Sequence, residues 1–173
     1  SGDLQAEKHE PAGLLRIAVP VNTTYRWLAG ALNQFQLRYP KIDLDIRMSN
    51  WVIDVGEHAI DLAIRVGEPA LQGWIARPLT NVQSLLCAGS QATQWHHIQH
   101  PAELSNYPLV VSSPINVWRF EHQQRRESFD FRPQGNVRLF VDDMNIAMQA
   151  VEAGVGIGYL PRRVVQEHMQ QGR

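Results

Sequence analysis

The sequence predicts an α/β protein, built as one domain or as two small lobes. Three observations carry this. Continuous apolar runs such as "LLRIAV" alternate with stretches of helical periodicity such as "YRWLAGALNQFQLRY". The order strand, helix, strand recurs from residue 14 onward, as parallel strands joined by right-handed crossovers require. The 173 residues are 44% hydrophobic and 19% charged, which suits a compact soluble core.

Residues 1–13 read as a linker or the end of a preceding helix. "LLRIAV" (Leu14 to Val19) is a buried strand. "PVNTT" follows it, with Asn22, Thr23 and Thr24 as N-cap residues. The next helix places Trp27, Leu28, Ala31, Leu32, Phe35 and Tyr39 at helical spacing, and Pro40 stops it. "IDLDIRM" (Ile42 to Met48) alternates as a strand does. "SNWVIDVGEHA" reads as a short helix capped by Ser49 or Asn50, and "IDLAIRVG" (Ile60 to Gly67) as a third strand. "WIARPL" and "VQSLLCAG" read as further strands or extended segments.

After Gly89 a second unit begins. One or two short helices fall in "QATQWHHIQHPAEL", then a buried strand in "YPLVVSS". "VWRFEHQQ" and "ESFDFRP" alternate and pair as a hairpin. "NVRLFVDD" is a strand, "DMNIAMQAVEAG" a helix, "VGIGYLP" a strand and "RRVVQEHMQQG" a last helix.

Several function classes fall away. The net charge is -1, with a sequence pI of 6.6. This is not the basic face that grips a nucleic-acid backbone, and the doublets Arg125-Arg126 and Arg162-Arg163 read as solvated surface. No apolar run approaches the ~18 residues of a membrane span. The N-terminus "SGDLQAEKHEPAG" lacks the apolar core of a secretory signal, so a cytoplasmic setting fits. A start at "SGD", without Met, reads as a trimmed chain. The single cysteine, Cys87, excludes an internal disulfide and reads as a small buried hydrophobe.

The glycines of "EAGVGIGYLP" are not a dinucleotide loop. A helix precedes them and a strand follows, the reverse of the phosphate-binding order. Gly154 is the left-handed residue that ends the helix, and Gly156 and Gly158 allow close backbone approach. His96, His97 and His100 lack a partner at metal-ligand spacing and read as a solvated polar helix. Asp142 and Asp143 stand where a helix starts, and capping is the favoured role. No nucleophile–base pair or metal cluster emerges, so no catalytic residue, metal or cofactor is expected and an enzyme is the least favoured reading.

The most informative element is "AVPVNTTYRW", a strand running into a helix whose first turn carries hydroxyl and amide side chains. Free N–H groups at a helix start favour anions. In open α/β sheets, ligands sit beyond the carboxyl ends of strands. "RMSNW", "IRVGEP", "VVSSPINVW" and "LFVDDMN" are four more such ends, and together they read as one small-molecule site.

Taken in order, these residues resemble the effector-binding domain of the bacterial LysR-type transcriptional regulators. The resemblance rests on "GLLRIAVP", "LAGALNQFQLRYPKIDLDI", "DVGEHAIDLAIRVGEP" and "EAGVGIGYLPRRVV" and covers nearly all of the chain after residue 13. It implies a periplasmic-binding-protein-like fold of two Rossmann-like lobes, residues 14–86 and 87–173, with a ligand cleft between them. It implies ligand contacts from Val21, Asn22, Thr23, Thr24, Met48, Ser49, Arg65, Val66 and Gly67 in the first lobe. In the second they would be Ser112, Ser113, Asp143 and Met144. The effector would be small, and a carboxylate suits a donor-rich helix start. The resemblance further implies a homodimer or tetramer using the helix Tyr25 to Tyr39, and no membrane partner. It implies DNA contact only through a winged helix-turn-helix domain ahead of residue 1. The family's domain usually continues past "QQGR", so the first lobe is expected to lack a closing segment. A secreted solute-binding protein of the same fold is the alternative.

Overall fold

The computed structural model describes residues 10–50, 59–67 and 73–171. The chain forms two compact units, residues 1–66 and 67–173.

In the first unit β1 (Gly13–Val19) is the central strand. Parallel neighbours flank it, β2 (Ile42–Met48) and β3 (Leu62–Ala63). A strand paired on both edges has its backbone N–H and C=O groups satisfied, and its carboxyl half is buried on both faces, where its residues are continuously apolar. Ile17, Ala18 and Val19 are buried at its carboxyl half. Ile17 and Val19 pack with Leu28, and Leu15, Leu32, Leu44, Ile46 and Ile64 close over them. The expected third strand is short. Of Ile60 to Gly67 only Leu62 and Ala63 pair, although the Ile64 N–H still donates to the Ala18 carbonyl at 2.8 Å.

The first helix begins earlier than its periodicity suggests. α1 (Val21–Thr23) runs into a π-helical turn (Thr24–Leu28) and then into α2 (Ala29–Arg38). Tyr39 caps its end ahead of Pro40, as expected. The expected capping role of Asn22, Thr23 and Thr24 is not realised. Pro20, in extended conformation, is the N-cap, and the three polar residues lie inside the helix. Proline carries a helix-compatible φ and needs no donor of its own, so the helix starts directly behind it. The short helix expected over "SNWVIDVGEHA" falls on residues 51–58, outside the described residues.

The second unit is a four-stranded sheet in the order β4 (Ser84–Cys87), β9 (Ile157–Pro161), β5 (Leu109–Ser112), β8 (Val137–Val141). β5 runs parallel to β8 and β9, and β4 runs antiparallel to β9. β4 spans the expected lobe boundary at residues 86 and 87 and pairs wholly in this sheet. "WIARPL" forms no strand, and its residues are exposed. Two 3₁₀ helices, Gln94–His97 and Pro101–Asn106, stand where short helices were expected. β6 (Trp118–Glu121) and β7 (Ser128–Phe131) form the expected antiparallel hairpin.

One face of the sheet packs on α3 (Met144–Glu152) and α4 (Arg162–Gln170) through Val110, Met148, Val151, Leu160 and Val164. His168 Nδ1 bonds Glu152 Oε1 and ties the last turn of α4 to the end of α3. A second cluster gathers Leu104, Leu109, Val111, Trp118, Phe131 and Ile157. There Tyr159 stacks on Trp118 at 5.6 Å, and its hydroxyl donates to the Arg119 carbonyl at 3.1 Å.

The three glycines do what their order implies. Gly154 has φ 84°, its N–H donates to the Val151 carbonyl, and the Val155 N–H reaches back to the Ala150 carbonyl. That pair of bonds closes α3 in a Schellman arrangement. A Cβ on Gly156 would stand 2.6 Å from the Pro108 carbonyl oxygen, and one on Gly158 would stand 2.7 Å from Val151 Cγ2. Backbone yields less than a side chain, so Gly156→Ala is expected to destabilise by about 2 kcal/mol or more and Gly158→Ala by less. Urea unfolding of the two variants beside the parent measures both.

Candidate functional site

All three strands of the first sheet run parallel, so their carboxyl ends share one edge. The residues after β1, β2 and β3 are therefore neighbours. The Ser49 N–H donates to the Val19 carbonyl at 3.0 Å. The Val21 N–H, first of the helix, donates to Asn50 Oδ1 at 3.0 Å. Asn50 thus serves the helix behind β1, while the helix that Ser49 or Asn50 was expected to cap lies outside the described residues. The sequence shows only an amide next to a strand end, and that signal does not say which helix it will cap.

Asn22 and Thr24 are buried, at 4% and 6% exposure, while Val21 and Thr23 are half-buried. The Thr24 hydroxyl donates back to the Pro20 carbonyl at 2.6 Å, and its N–H donates to the same oxygen at 3.2 Å. Of the first-turn donors, Val21 and Thr24 are thus engaged by an amide oxygen and a carbonyl. Met48 is exposed and Ser49 half-buried at the end of β2. Arg65 and Val66 are half-buried beyond β3, and Gly67 is exposed with φ 99°. The residues named from the sequence between Val21 and Val66 lie at or follow the carboxyl ends of these three strands.

The second unit repeats the arrangement at the carboxyl ends of β5 and β8. Ser112 is in register with Val141, and the Ser113 N–H donates to the Val141 carbonyl at 2.9 Å. Asp143 and Met144 follow β8, so these four named residues share an edge as well. Ser112 is 2% exposed, and among the described residues its hydroxyl has no hydrogen-bond partner. Buried hydroxyls are seldom left so. Asp143 is the N-cap of α3. Its Oδ1 accepts from the Asn145 and Ile146 N–H groups, each at 2.9 Å. A carboxylate thus already occupies that helix start, and the electrostatic reason to bind a second anion there is gone.

Elsewhere, ionisable groups are structural. Arg47, then Arg16, holds the Asp45 carboxyl below its usual range across β1 and β2. The Glu103 carboxylate accepts from the His100 and Gln99 N–H groups, which lower its pKa in the same way. His100 Nδ1 accepts from the Ala102 N–H at 3.1 Å, so this histidine is a helix cap. Cys87 packs against the core, and its thiol donates to the Gly158 carbonyl at 3.5 Å. Burial pushes the thiol up to about 12.

Comparison with known proteins decides the family. The model of the LysR substrate binding domain matches residues 8–173. The chain belongs to the LysR substrate-binding domain family. A relative in Escherichia coli strain K12, the HTH-type transcriptional regulator YhjC, is 28% identical over 99% of this chain and 58% of its own length. The HTH-type transcriptional activator AmpR of Citrobacter freundii is 30% identical over 87% of the chain and 50% of its own length. The full-length structure of the Vibrio cholerae virulence activator AphB superposes with TM-score 0.75 at 26% identity, covering 99% of this chain and 60% of that one. The chain therefore spans little more than half of these relatives. Its fold is the periplasmic-binding-protein-like α/β fold of LysR-type regulatory domains. Its relatives are transcriptional regulators, and the solute-binding alternative is not favoured. Among the described residues, no helix is long and apolar enough to cross a membrane.

Two tests follow for this LysR-type domain. Removing the α3 cap with Asp143→Ala is expected to cost about 1 kcal/mol, read as a lower denaturant midpoint with an unchanged slope. Alkylation of Cys87 by iodoacetamide at pH 8 is expected to run at least about a hundredfold slower than that of free cysteine, because only the thiolate reacts. Mass spectrometry of the labelled chain follows the rate, and labelling as fast as a free thiol would contradict the burial described.

Proposed function

We propose that this chain is the effector-sensing regulatory domain of a LysR-type DNA-binding transcription regulator and acts by binding, without catalysis. The family match over residues 8–173 carries the regulatory reading. The site reading is supported by the first-unit edge, where three parallel strand ends meet a helix start whose Val21 and Thr24 N–H groups bond the neutral Asn50 amide and Pro20 carbonyl oxygens. That edge favours a small carboxylate, received by the Thr23 and Asn22 end of the helix, by Ser49 and by the Arg65 segment. Met48, Val66 and Gly67 shape its rim. In the second unit Ser112, whose hydroxyl lacks a partner among the described residues, and Ser113 offer polar contacts, while Asp143 and Met144 serve chiefly to start and pack α3. An effector acts by binding one arrangement of the regulator better than another.

The relatives support the remaining features of the proposal. The full-length protein reaches DNA through a helix-turn-helix domain, works in the cytoplasm and forms a homodimer or tetramer. Leu37 and Tyr25 on the first helix and Phe140 on β8 are exposed and available to such contacts, at 83%, 76% and 57%.

A thermal-shift screen of small carboxylates and aromatic acids tests the effector reading. A ligand at a hundred times its dissociation constant adds about 2.7 kcal/mol of stability. The gain is expected to vanish in Thr23→Val while the unliganded melting temperature stays near that of the parent. No stabilisation across a broad panel would sink the proposal.

A further inference from the structure

The tip of the β6–β7 hairpin is closed by an unusual acceptor. His122 Nδ1 accepts from the Gln124 and Arg125 N–H groups, both at 3.1 Å. The donors are two and three residues ahead. Asp143 uses the same spacing to cap α3 from Asn145 and Ile146. Short oxygen side chains make such caps by default. A histidine makes one only while Nδ1 keeps its lone pair, that is, in the neutral ring with its proton on Nε2. Around pH 5 to 8 a histidine can lose that capacity, whereas aspartate and asparagine keep theirs.

We propose that the β6–β7 hairpin is a pH-sensitive element: a neutral His122 ring folds its tip, and protonation of that ring releases it. A proton on Nδ1 faces two N–H donors and leaves both without a partner. The new charge also sits beside Arg125 and Arg126. Both arginines are exposed, so the tip's state decides where two positive charges are held. The His122 N–H bond to the Glu127 carbonyl, at 2.9 Å, does not depend on the ring and keeps the hairpin base paired.

The other charged groups leave His122 in control. The concavity of about 540 Å³ at the tip is lined by residues 121–128, so the facing charges are Glu121, Arg125, Arg126 and Glu127 of the hairpin itself. Arg119 and Asp130 pair across the strands at 3.5 Å. β9 contributes Tyr159, whose hydroxyl holds the Arg119 carbonyl. The 3₁₀ helix beside β7 contributes Glu103, and His100 before it packs edge-on against Phe129 at 4.9 Å. His100 is also a cap through Nδ1, but the Glu103 carboxylate bonded to its own N–H stays beside it after protonation. Among the described residues no carboxylate bonds the His122 N–H in this way, so release of the tip is the larger expected response.

A pH titration from about 8 to about 5 by nuclear magnetic resonance tests this. In the ¹⁵N-labelled chain the Gln124 and Arg125 amides are expected to move together with the His122 ring signals, at one midpoint. In His122→Asn the side-chain oxygen keeps the cap without titrating, so both amides should stay still. Compared at one acidic pH, the Arg125 amide should exchange about tenfold faster in the parent than in that variant, the worth of two modest hydrogen bonds. A ring that titrates while the two amides do not move overturns the proposal. So does an asparagine variant whose amides titrate as the parent's do.

Discussion

Parallel pairing is the constraint on which each unit depends. A parallel strand cannot return through a tight hairpin, so its chain must cross over one face before pairing again. β5, between β8 and β9, is buried throughout for that reason, and β1, between β2 and β3, is buried over its carboxyl half. It also fixes where chemistry can gather. Strand ends of one direction meet at one edge, and the crossovers begin there with polar first turns. Val19, Met48 and Ala63 end together in the first unit, as do Ser112 and Val141 in the second. The named contact residues are neighbours because of strand direction, although they lie far apart in sequence.

In the second unit a steric condition completes the sheet. β9 takes its place beside β5 only because Gly156 lets the chain pass against the Pro108 carbonyl, which then accepts the Ile157 N–H at 2.9 Å. Gly158 leaves room for Val151 of α3, and Gly89 passes close to the end of that helix. These approaches seat α3 and, through Val164 and Leu160, α4. The glycines are packing devices, and a phosphate-binding role would have required the opposite order of elements.

The order of elements, the hairpin, the Asp143 cap, the Gly154 stop and the strand ends were legible because each rests on local chemistry: period, punctuation or a side chain acting two or three residues away. What escaped was chemistry acting across space. Asn50 caps the helix behind β1, a pairing that exists only once β1 and β2 lie side by side. "IDLAIRVG" reads as a full strand, yet only Leu62 and Ala63 are in strand register with β1. "WIARPL" reads as a strand or an extended segment, and it is the second of these: it forms no strand. His122 was hidden for another reason. Its cap is local, but histidine is not read as a capping residue.

Caps also separate the two edges chemically. Both start helices at the carboxyl ends of parallel strands, where N–H donors are exposed and anions are favoured. Asp143 meets that demand within the second unit by placing a full negative charge on two donors of α3. At the first edge the corresponding partners are the Asn50 amide oxygen and the Pro20 carbonyl, which satisfy donors without neutralising the field. The α1 helix continues through the π turn into α2, so the dipole behind that field is that of a long helix. The edge carrying Asn22, Thr23 and Ser49 therefore keeps a field that, at the start of α3, the Asp143 carboxylate already answers within its own unit.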